Sequence, residues 1–252
     1  MVRYERIGAA ALVTIDRPER RNAVDGPTAD ALQEAYERFA ADDAARVVVL
    51  TGAGELAFCA GADLKSLETL DERLENPAGP LGFTRLTSPK PTIAAISGWC
   101  LAGGLELALW CDLRVADDTS RMGFTERRFG VPLIDGGTQR LPRIVGMGRA
   151  LDLILSGRVV DAAEALQIGL VNEVVAPGEH VRRALAMAEG IAAFPQDTML
   201  SDRRAAIEGI GLPFADGLAL EAGLGLPHST AALEGARRFA GGEGRGGSGT
   251  GV

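Results

Sequence analysis

Short apolar segments alternate with helical patterns along the first half of the chain, and this alternation limits the fold more than any other feature. Residues 46–51 contain three consecutive valines and end at the turn Gly52-Ala53-Gly54, which is typical of a buried strand that enters a loop. Residues 27–40 show helical spacing of their apolar side chains. Further short strands are predicted at Ala10–Ile15, Thr92–Ile96, residues 113–116 and residues 170–175. Strands that alternate with helices predict an α/β fold.

The C-terminal half is predicted to be mainly helical. From Arg149 onward, helical patterns cover residues 150–156, 162–168, 180–194 and 215–224, and Asp161 stands where it can cap the second of these helices. Residues 240–252 include seven glycines and almost no apolar side chain, which predicts disorder. We therefore divide the chain into a core of residues 1–195, a helical region of residues 196–239 and a disordered tail of residues 240–252.

Composition and charge argue against several classes of protein. A formal net charge of −8 is unsuited to a nucleic-acid or anionic-membrane partner. The two histidines lie far apart without carboxylate or thiol companions, so we expect no metal site. The three cysteines lack CxxC spacing and fit free thiols in a reducing compartment. The chain opens without a signal-peptide pattern and has no apolar run of the ~18 residues that a membrane span needs. These features predict a cytoplasmic protein.

Two Gly-rich turns, residues 58–65 and residues 98–108, each follow a strand and open a helix. Small residues let the backbone approach a ligand closely, and a helix start leaves N–H groups without intrahelical partners. Two such N–H groups that converge on one oxygen form an oxyanion hole, in which each donor is worth about 3–4 kcal/mol in other enzymes. Gly-rich turns of this kind are also common without any function, so each turn alone is a weak signal.

The two turns together are far more specific. FCAGADLKSL resembles the first signature of the crotonase superfamily of enoyl-CoA hydratases and isomerases, and PTIAAISGWCLAGGLELALWCDLRVA resembles the second. The resemblance covers about residues 3 to 240. It implies a spiral of ββα repeats with a helical C-terminal trimerisation region, and a homotrimer or dimer of trimers. It also implies an acyl-CoA substrate, with no cofactor beyond the CoA thioester itself.

The resemblance assigns roles to individual residues. The backbone N–H groups of Ala62 and Gly103 match the two oxyanion donors to the thioester carbonyl. The residues that match the CoA-binding stretch are Ala60, Asp63, Leu64 and Lys65, and the exposed cation Arg21 is a further candidate contact to the CoA phosphates.

Two glutamates match the acid and base groups of the hydratases. Glu106 lies three residues past Gly103, in a helix whose other residues are apolar, and a buried carboxylate without a role is costly. Glu126 matches the second glutamate, although it could also pair with the arginines that follow it. Two carboxyl groups that share a water can add it to a conjugated enoyl thioester. The sequence therefore predicts reversible hydration of trans-2-enoyl-CoA to 3-hydroxyacyl-CoA.

The segment Pro132–Thr138 departs from the Pro-Gly-x-Gly-Gly-Thr pattern of the hydratases. Asp135 adds a third carboxylate if it points inward, and Ile134 reshapes the acyl pocket. Ala102 stands where a glycine is common, and an alanine is expected to be tolerated there if its φ is negative.

Three alternatives stay open. The first is another crotonase reaction, either isomerisation or acyl-CoA lyase or hydrolase chemistry, that uses Glu106 with Asp135. The second is a nucleotide-binding oxidoreductase, which the lack of an early GxGxxG disfavours. The third is a CoA-binding protein without activity, which the presence of both glutamates disfavours.

Overall fold

The computed structural model describes residues 1–243. Its strands are β1 (Val2–Ile7), β2 (Ala10–Ile15), β3 (Val47–Gly52), β4 (Ala57–Cys59), β5 (Thr92–Ile96), β6 (Trp99–Leu101), β7 (Leu113–Asp117), β8 (Arg121–Gly123), β9 (Val159–Asp161) and β10 (Glu173–Val175). Its α-helices are α1 (Gly26–Ala41), α2 (Gly103–Trp110), α3 (Gly137–Val145), α4 (Met147–Ser156), α5 (Ala162–Gln167), α6 (His180–Ala193), α7 (Gln196–Glu208), α8 (Phe214–Gly225) and α9 (Ser229–Ala240).

Two sheets organise the N-terminal part of the chain. The larger sheet has the order β1-β2-β3-β5-β7-β10, and all its neighbours are parallel except the β1–β2 pair. The smaller sheet has the order β4-β6-β8-β9. Because β3, β5 and β7 of the larger sheet are each followed by a strand of the smaller sheet and then by helical turns, the chain repeats a ββα unit. The predicted α/β spiral is confirmed.

The buried core lies between the sheets and the helices that cover them. Every residue of β3 and β5 is buried, as the β-branched run predicts. All eight residues of α2 are buried, so the helix is enclosed on every side. The prediction that Glu106 occupies a buried helix is therefore confirmed.

Local signals set several element boundaries. Asp25 accepts the N–H of Thr28 at 3.0 Å and caps α1, and Asp161 accepts the N–H of Glu164 at 2.9 Å and caps α5 as predicted. The strand predicted over residues 170–175 is shorter than expected. It forms only over Glu173–Val175, because the N–H groups of residues 170 and 171 close the end of α5 on the Ala165 carbonyl.

The chain divides into two compact units, Met1–Ala188 and a second unit that begins at Glu189. The first unit contains both sheets. The second contains the end of α6 together with α7, α8 and α9, and the prediction of helices in residues 196–239 agrees with these elements. Of the predicted disordered tail, residues 244–252 lie outside the described residues. Within residues 1–243, none of the helices combines the length and the hydropathy that crossing a bilayer demands.

Candidate active site

One cavity in the first unit, of about 450 Å³, brings most of the predicted site residues together. The predicted residues that line it are Ala60, Ala62, Leu64, Gly103, Glu106, Glu126, Ile134 and Asp135. Leucines from the segment after β4, together with Phe129, Val131 and Pro132, form much of the remaining wall. The cavity is therefore largely apolar, with four carboxyl groups in its lining, those of Asp71, Glu106, Glu126 and Asp135.

The two Gly-rich turns meet at this cavity. A Cβ on Gly61 would lie 2.9 Å from the backbone nitrogen of Gly103, and Gly61 has a φ of +91°. A Cβ on Gly103 would lie 3.7 Å from the backbone nitrogen of Ala62 and 2.5 Å from Cδ1 of Leu81. Only residues without a side chain allow the turns to approach this closely. The backbone N–H groups of Ala62 and Gly103 thus lie beside one another, at the start of α2.

Ala102, which precedes α2, has a φ of 53° and a ψ of −126°. The condition of a negative φ is therefore not met, and the alanine is accommodated with a positive φ. The conformation is fixed by hydrogen bonds on both sides: the Ala102 N–H donates to the Gly123 carbonyl at 2.9 Å, and its carbonyl accepts the N–H of Leu105 at 2.9 Å. A non-glycine residue in this region costs about 1–3 kcal/mol, and the surrounding structure imposes that strain at the entrance to α2.

Glu106 lies in the first turn of α2 and is 3% exposed. Its Oε1 accepts the backbone N–H groups of Asp135 at 3.0 Å and of Gly137 at 2.7 Å. Burial raises the pKa of Glu106 to about 8, and the charge of Asp135 adds to this rise while the two N–H groups oppose it. Glu106 is therefore both oriented and held largely neutral at pH 7. Sequence reasoning missed the donors at positions 135 and 137.

Glu126 lies in a short 3₁₀ helix, Thr125–Phe129, and is 6% exposed. Among the described residues, neither of its carboxyl oxygens has a hydrogen-bond partner. Burial raises the pKa of this carboxyl group as well. A buried carboxyl that no protein group satisfies is unusual, and its partner is expected to be a water or a bound ligand. Glu126 also faces the same cavity as Glu106, and its charge contributes to the raised pKa of Glu106.

Asp135 lines the cavity, but one of its oxygens is engaged by the protein. Oδ1 accepts the backbone N–H of Leu81 at 3.1 Å and the hydroxyl of Thr84. The side chain is 4% exposed, and burial raises its pKa. The aspartate thus points inward, beside Glu106, while its Oδ1 bonds hold a neighbouring segment of the chain.

Asp63, Lys65 and Arg21 are not among the residues that line the cavity. Asp63 is buried and pairs with Arg17 at 3.3 Å. Arg17 also pairs with Asp25 at 2.8 Å, so it ties the first Gly-rich turn to the start of α1, a role that sequence reasoning missed. Lys65 and Arg21 are exposed. Arg21 supports the turn through its carbonyl, which accepts the N–H of Ala60 at 3.0 Å. A contact of these residues with CoA stays a prediction.

The chain is similar to proteins of known family. It matches the enoyl-CoA hydratase/isomerase family over residues 5–212. A probable enoyl-CoA hydratase of Rhizobium meliloti is 42% identical over 219 residues, 86% of this chain and 85% of the relative. A short-chain-enoyl-CoA hydratase of Clostridium acetobutylicum is 42% identical over 191 residues, 74% of this chain and 73% of the relative. The crystal structure of enoyl-CoA hydratase EchA1 from Mycobacterium marinum superposes with a TM-score of 0.89 at 36% identity and covers 95% of each chain.

The protein has the crotonase fold: it repeats a ββα unit, and its two Gly-rich turns and buried carboxyl groups line one cavity. Within that class, the chain belongs to the enoyl-CoA hydratase/isomerase family.

Proposed function

We propose that this protein catalyses the reversible addition of water to the double bond of a trans-2-enoyl-CoA, which gives the 3-hydroxyacyl-CoA. The observation that carries the proposal is the pair of buried glutamates on one cavity: Oε1 of Glu106 is held by two N–H groups, and Glu126 has no partner within residues 1–243. The names of the relatives described above support the same reaction.

The thioester carbonyl oxygen is proposed to accept hydrogen bonds from the N–H groups of Ala62 and Gly103. As water adds to the β-carbon, negative charge moves onto this oxygen and an enolate forms. Donors that are already aligned stabilise that charge without reorganisation, and each is worth about 3–4 kcal/mol. The close approach of the two turns supports this role.

Glu106 and Glu126 are proposed to share the proton transfers. One carboxylate takes a proton from the attacking water as the new C–O bond forms, and the other carboxyl group gives its proton to the α-carbon of the enolate. The product thus gains its hydroxyl group from the attacking water and its α-hydrogen from the second carboxyl group, and transfer of the captured proton between the two glutamates restores the starting state. The raised pKa values of both groups support this role, since burial allows the pair to retain one proton near neutral pH.

The test is the loss of conjugated-enoyl absorbance when the purified protein meets crotonyl-CoA or trans-2-decenoyl-CoA. Glu106→Gln and Glu126→Gln are each expected to lower kcat by about 10³-fold or more, with little change in acyl-CoA binding measured by calorimetry. Asp118→Asn, at an exposed position after β7, is the matched control. Binding of both thioesters without any loss of absorbance by the wild type contradicts the proposal.

A second candidate is a double-bond isomerase that uses Glu106 and Asp135, and the inward position of Asp135 favours it. The glutamate pair is favoured over it, because one oxygen of Asp135 is engaged by Leu81 and Thr84, whereas both oxygens of Glu126 are without a partner within residues 1–243. Incubation of trans-3-hexenoyl-CoA with the enzyme distinguishes the two reactions: an isomerase produces conjugated absorbance from this substrate, and a hydratase does not.

Lys65 and Arg21 are proposed to contact the phosphates of CoA, and Asp63 to shape the first turn through Arg17. Both cations are exposed and flank the turn that carries Ala60 and Ala62. Lys65→Ala and Arg21→Ala are then expected to raise KM for crotonyl-CoA several-fold and to leave KM for crotonyl-pantetheine, which lacks the nucleotide, unchanged. Equal effects on both substrates would contradict the contact.

We also propose that the protein forms a homotrimer or a dimer of trimers through its C-terminal helices. Phe214, Leu226 and Leu233 are large apolar side chains that are exposed in the single chain, which supports a subunit interface there. Sedimentation equilibrium tests this assembly, and a monomer at micromolar concentration contradicts it.

Hydration is further proposed to need no cofactor besides the CoA thioester that is its substrate, so dialysis against a chelator is expected to leave turnover unchanged. We place the enzyme in the cytoplasm, because Cys59, Cys100 and Cys111 are free thiols, which a reducing compartment preserves. Cell fractionation with a specific antibody tests the location.

A further inference from the structure

Asp135 joins two parts of the site that lie far apart in sequence. Its Oδ1 accepts the backbone N–H of Leu81 at 3.1 Å and the hydroxyl of Thr84. Its own backbone N–H donates to Oε1 of Glu106 at 3.0 Å. The side chain therefore holds residues 81–84, while the main chain of the same residue orients the carboxyl group of Glu106.

Arg140, in α3, links the same two segments by a second set of hydrogen bonds. One guanidinium nitrogen donates to the carbonyl of Asp135 at 2.9 Å, and another donates to the carbonyl of Thr84 at 2.6 Å. Segment 81–84 and the loop before α3 are thus tied together twice, once through the carboxylate and once through the guanidinium. Each tie depends on the other keeping the two segments at hydrogen-bonding distance.

Leu81 connects segment 81–84 to the start of α2. Its Cδ1 lies 2.5 Å from the position that a Cβ on Gly103 would occupy, so the leucine packs directly on the start of α2. Leu81 is also a wall of the cavity and is 2% exposed. A shift of segment 81–84 would therefore disturb both the backbone beside the Gly103 N–H and the N–H donor to Glu106.

We infer that Asp135 is a positioning residue for hydration, which holds Glu106 and Leu81 in place through Thr84, Arg140 and its own backbone N–H and exchanges no proton with the substrate. This inference rests on the proposed hydratase function. It gives the Asp135 carboxylate a structural role in the site and leaves acid and base catalysis to the two glutamates.

The burial of its partners explains why Oδ1 of Asp135 is held in one position. Thr84 is 0% exposed and Leu81 is 2% exposed, so their hydroxyl and N–H groups have no access to bulk water. If Oδ1 rotated away from these donors, both would lose their partner, and each buried unsatisfied group costs about 1–3 kcal/mol. Glu126 carries no such penalty, because neither of its oxygens is bonded within residues 1–243.

Three charged groups face Glu106 from the elements packed around it. Asp135 faces it from the loop before α3, Glu126 from the 3₁₀ helix and Arg140 from α3. The negative charge of Asp135 raises the pKa of Glu106. Asp135→Asn removes this charge but keeps an oxygen that can accept from Leu81 and Thr84. Asp135→Ala removes both the charge and the acceptor, so the two variants separate electrostatics from positioning.

The experiment measures kcat, KM and the pH profile of crotonyl-CoA hydration for both Asp135 variants, with Asp118→Asn as the surface control. Asp135→Asn is expected to keep kcat within about 5-fold of the wild type, with the limb of the profile that reports Glu106 displaced to lower pH. Asp135→Ala is expected to lower kcat by about 10–100-fold with KM within about 3-fold, because misplacing a catalytic group acts on the transition state.

Variants of Thr84 test the inference independently of Asp135. Thr84→Val removes the hydroxyl donor at nearly constant volume, and we expect kcat to fall by about 10-fold. Thr84→Ser keeps the hydroxyl and is expected to restore most of the activity. Circular dichroism and thermal unfolding establish that each variant is folded before its kinetics are compared.

Two outcomes overturn the inference. If Asp135→Asn lowered kcat as much as Glu106→Gln does, Asp135 would have to act as a proton donor or acceptor. A kcat for Asp135→Ala within about 3-fold of the wild-type value would show that Asp135 has no positioning role, whatever the shift of the pH profile.

Exchange of the α-protons of butyryl-CoA in D₂O separates this inference from the proposed function, because exchange needs enolate formation but no water addition. A wild type that exchanges without hydrating contradicts the hydratase proposal, and the exchange rates of the variants then test Asp135 by themselves. A wild-type protein that neither exchanges the α-protons nor hydrates crotonyl-CoA would contradict both the hydratase proposal and the inference about Asp135.

Discussion

Gly137 donates its backbone N–H to Oε1 of Glu106 at 2.7 Å, and a Cβ at position 137 would lie 3.0 Å from that same oxygen. The residue that orients the carboxyl group thus has no room for a side chain. The fully buried ring of Phe124 also limits the space at this position, because its Cζ would lie 2.9 Å from the added carbon.

Gly137→Ala is therefore expected to destabilise the protein by about 1–3 kcal/mol and to lower kcat by about 10-fold or more, since the added methyl must displace Glu106 or Phe124. Urea unfolding and crotonyl-CoA kinetics measure the two effects. Gly148→Ala, in α4 with no neighbour within 4 Å, is the control and should be neutral or slightly stabilising. Similar kinetics for both variants would show that the contact with Glu106 is unimportant.

The closeness of the two Gly-rich turns leads to a second prediction. Gly61→Ala would place a carbon 2.9 Å from the Gly103 nitrogen and force a side chain into a φ of +91°. We expect kcat to fall by about 10²-fold, because the two N–H donors would separate. Gly54→Ala has a comparable φ of +78° but meets only Cβ of Pro18, at 3.6 Å, so it reproduces the backbone strain away from the cavity. Equal losses in both variants would attribute the effect to strain alone.

The strain at Ala102 gives a third prediction. A glycine at this position relieves the cost of a φ of 53° but adds flexibility to the unfolded chain. The net effect expected for Ala102→Gly is a gain of about 1 kcal/mol in the free energy of unfolding, measured with urea. A loss of stability would mean that the contacts of the Ala102 methyl group outweigh the strain.

The raised pKa of Glu106 predicts how stability depends on pH. In the unfolded chain this carboxyl group ionises near its ordinary value of 4.5, and in the folded protein it stays protonated to about pH 8. Between these values the folded state binds a proton that the unfolded state has released. The free energy of unfolding from this group therefore falls as pH rises from about 5 to 8, by at most about 1.4 kcal/mol per pH unit.

The difference between the wild type and Glu106→Gln isolates this contribution. His180 has a lowered pKa and works in the opposite direction near pH 6, but it is present in both proteins. We expect the glutamine variant to gain stability relative to the wild type as pH rises from 5 to 8. A constant difference across that range would mean that the pKa of Glu106 is not raised.

Much of the fold could be predicted because its signals are local. The valine run of β3, the spacing of α1 and the capping position of Asp161 depend on residues that are neighbours in sequence. α3 was not predicted, since it opens with a glycine and contains Pro142, both of which disfavour a helix on their own. Its place against α2 and the bonds of Arg140 hold it in the folded chain.

The sequence by itself determined the alternation of strands and helices and the two Gly-rich turns, because each is a pattern of neighbouring residue types, and its resemblance to the crotonase superfamily singled out Glu106 and Glu126. Only the tertiary structure decided how the carboxyl groups are held. Asp135 meets Thr84 from 51 positions away, and Glu106 meets Gly137 from 31 positions away. Such contacts depend on the path of the chain between them, and this path is set by the packing of the whole core.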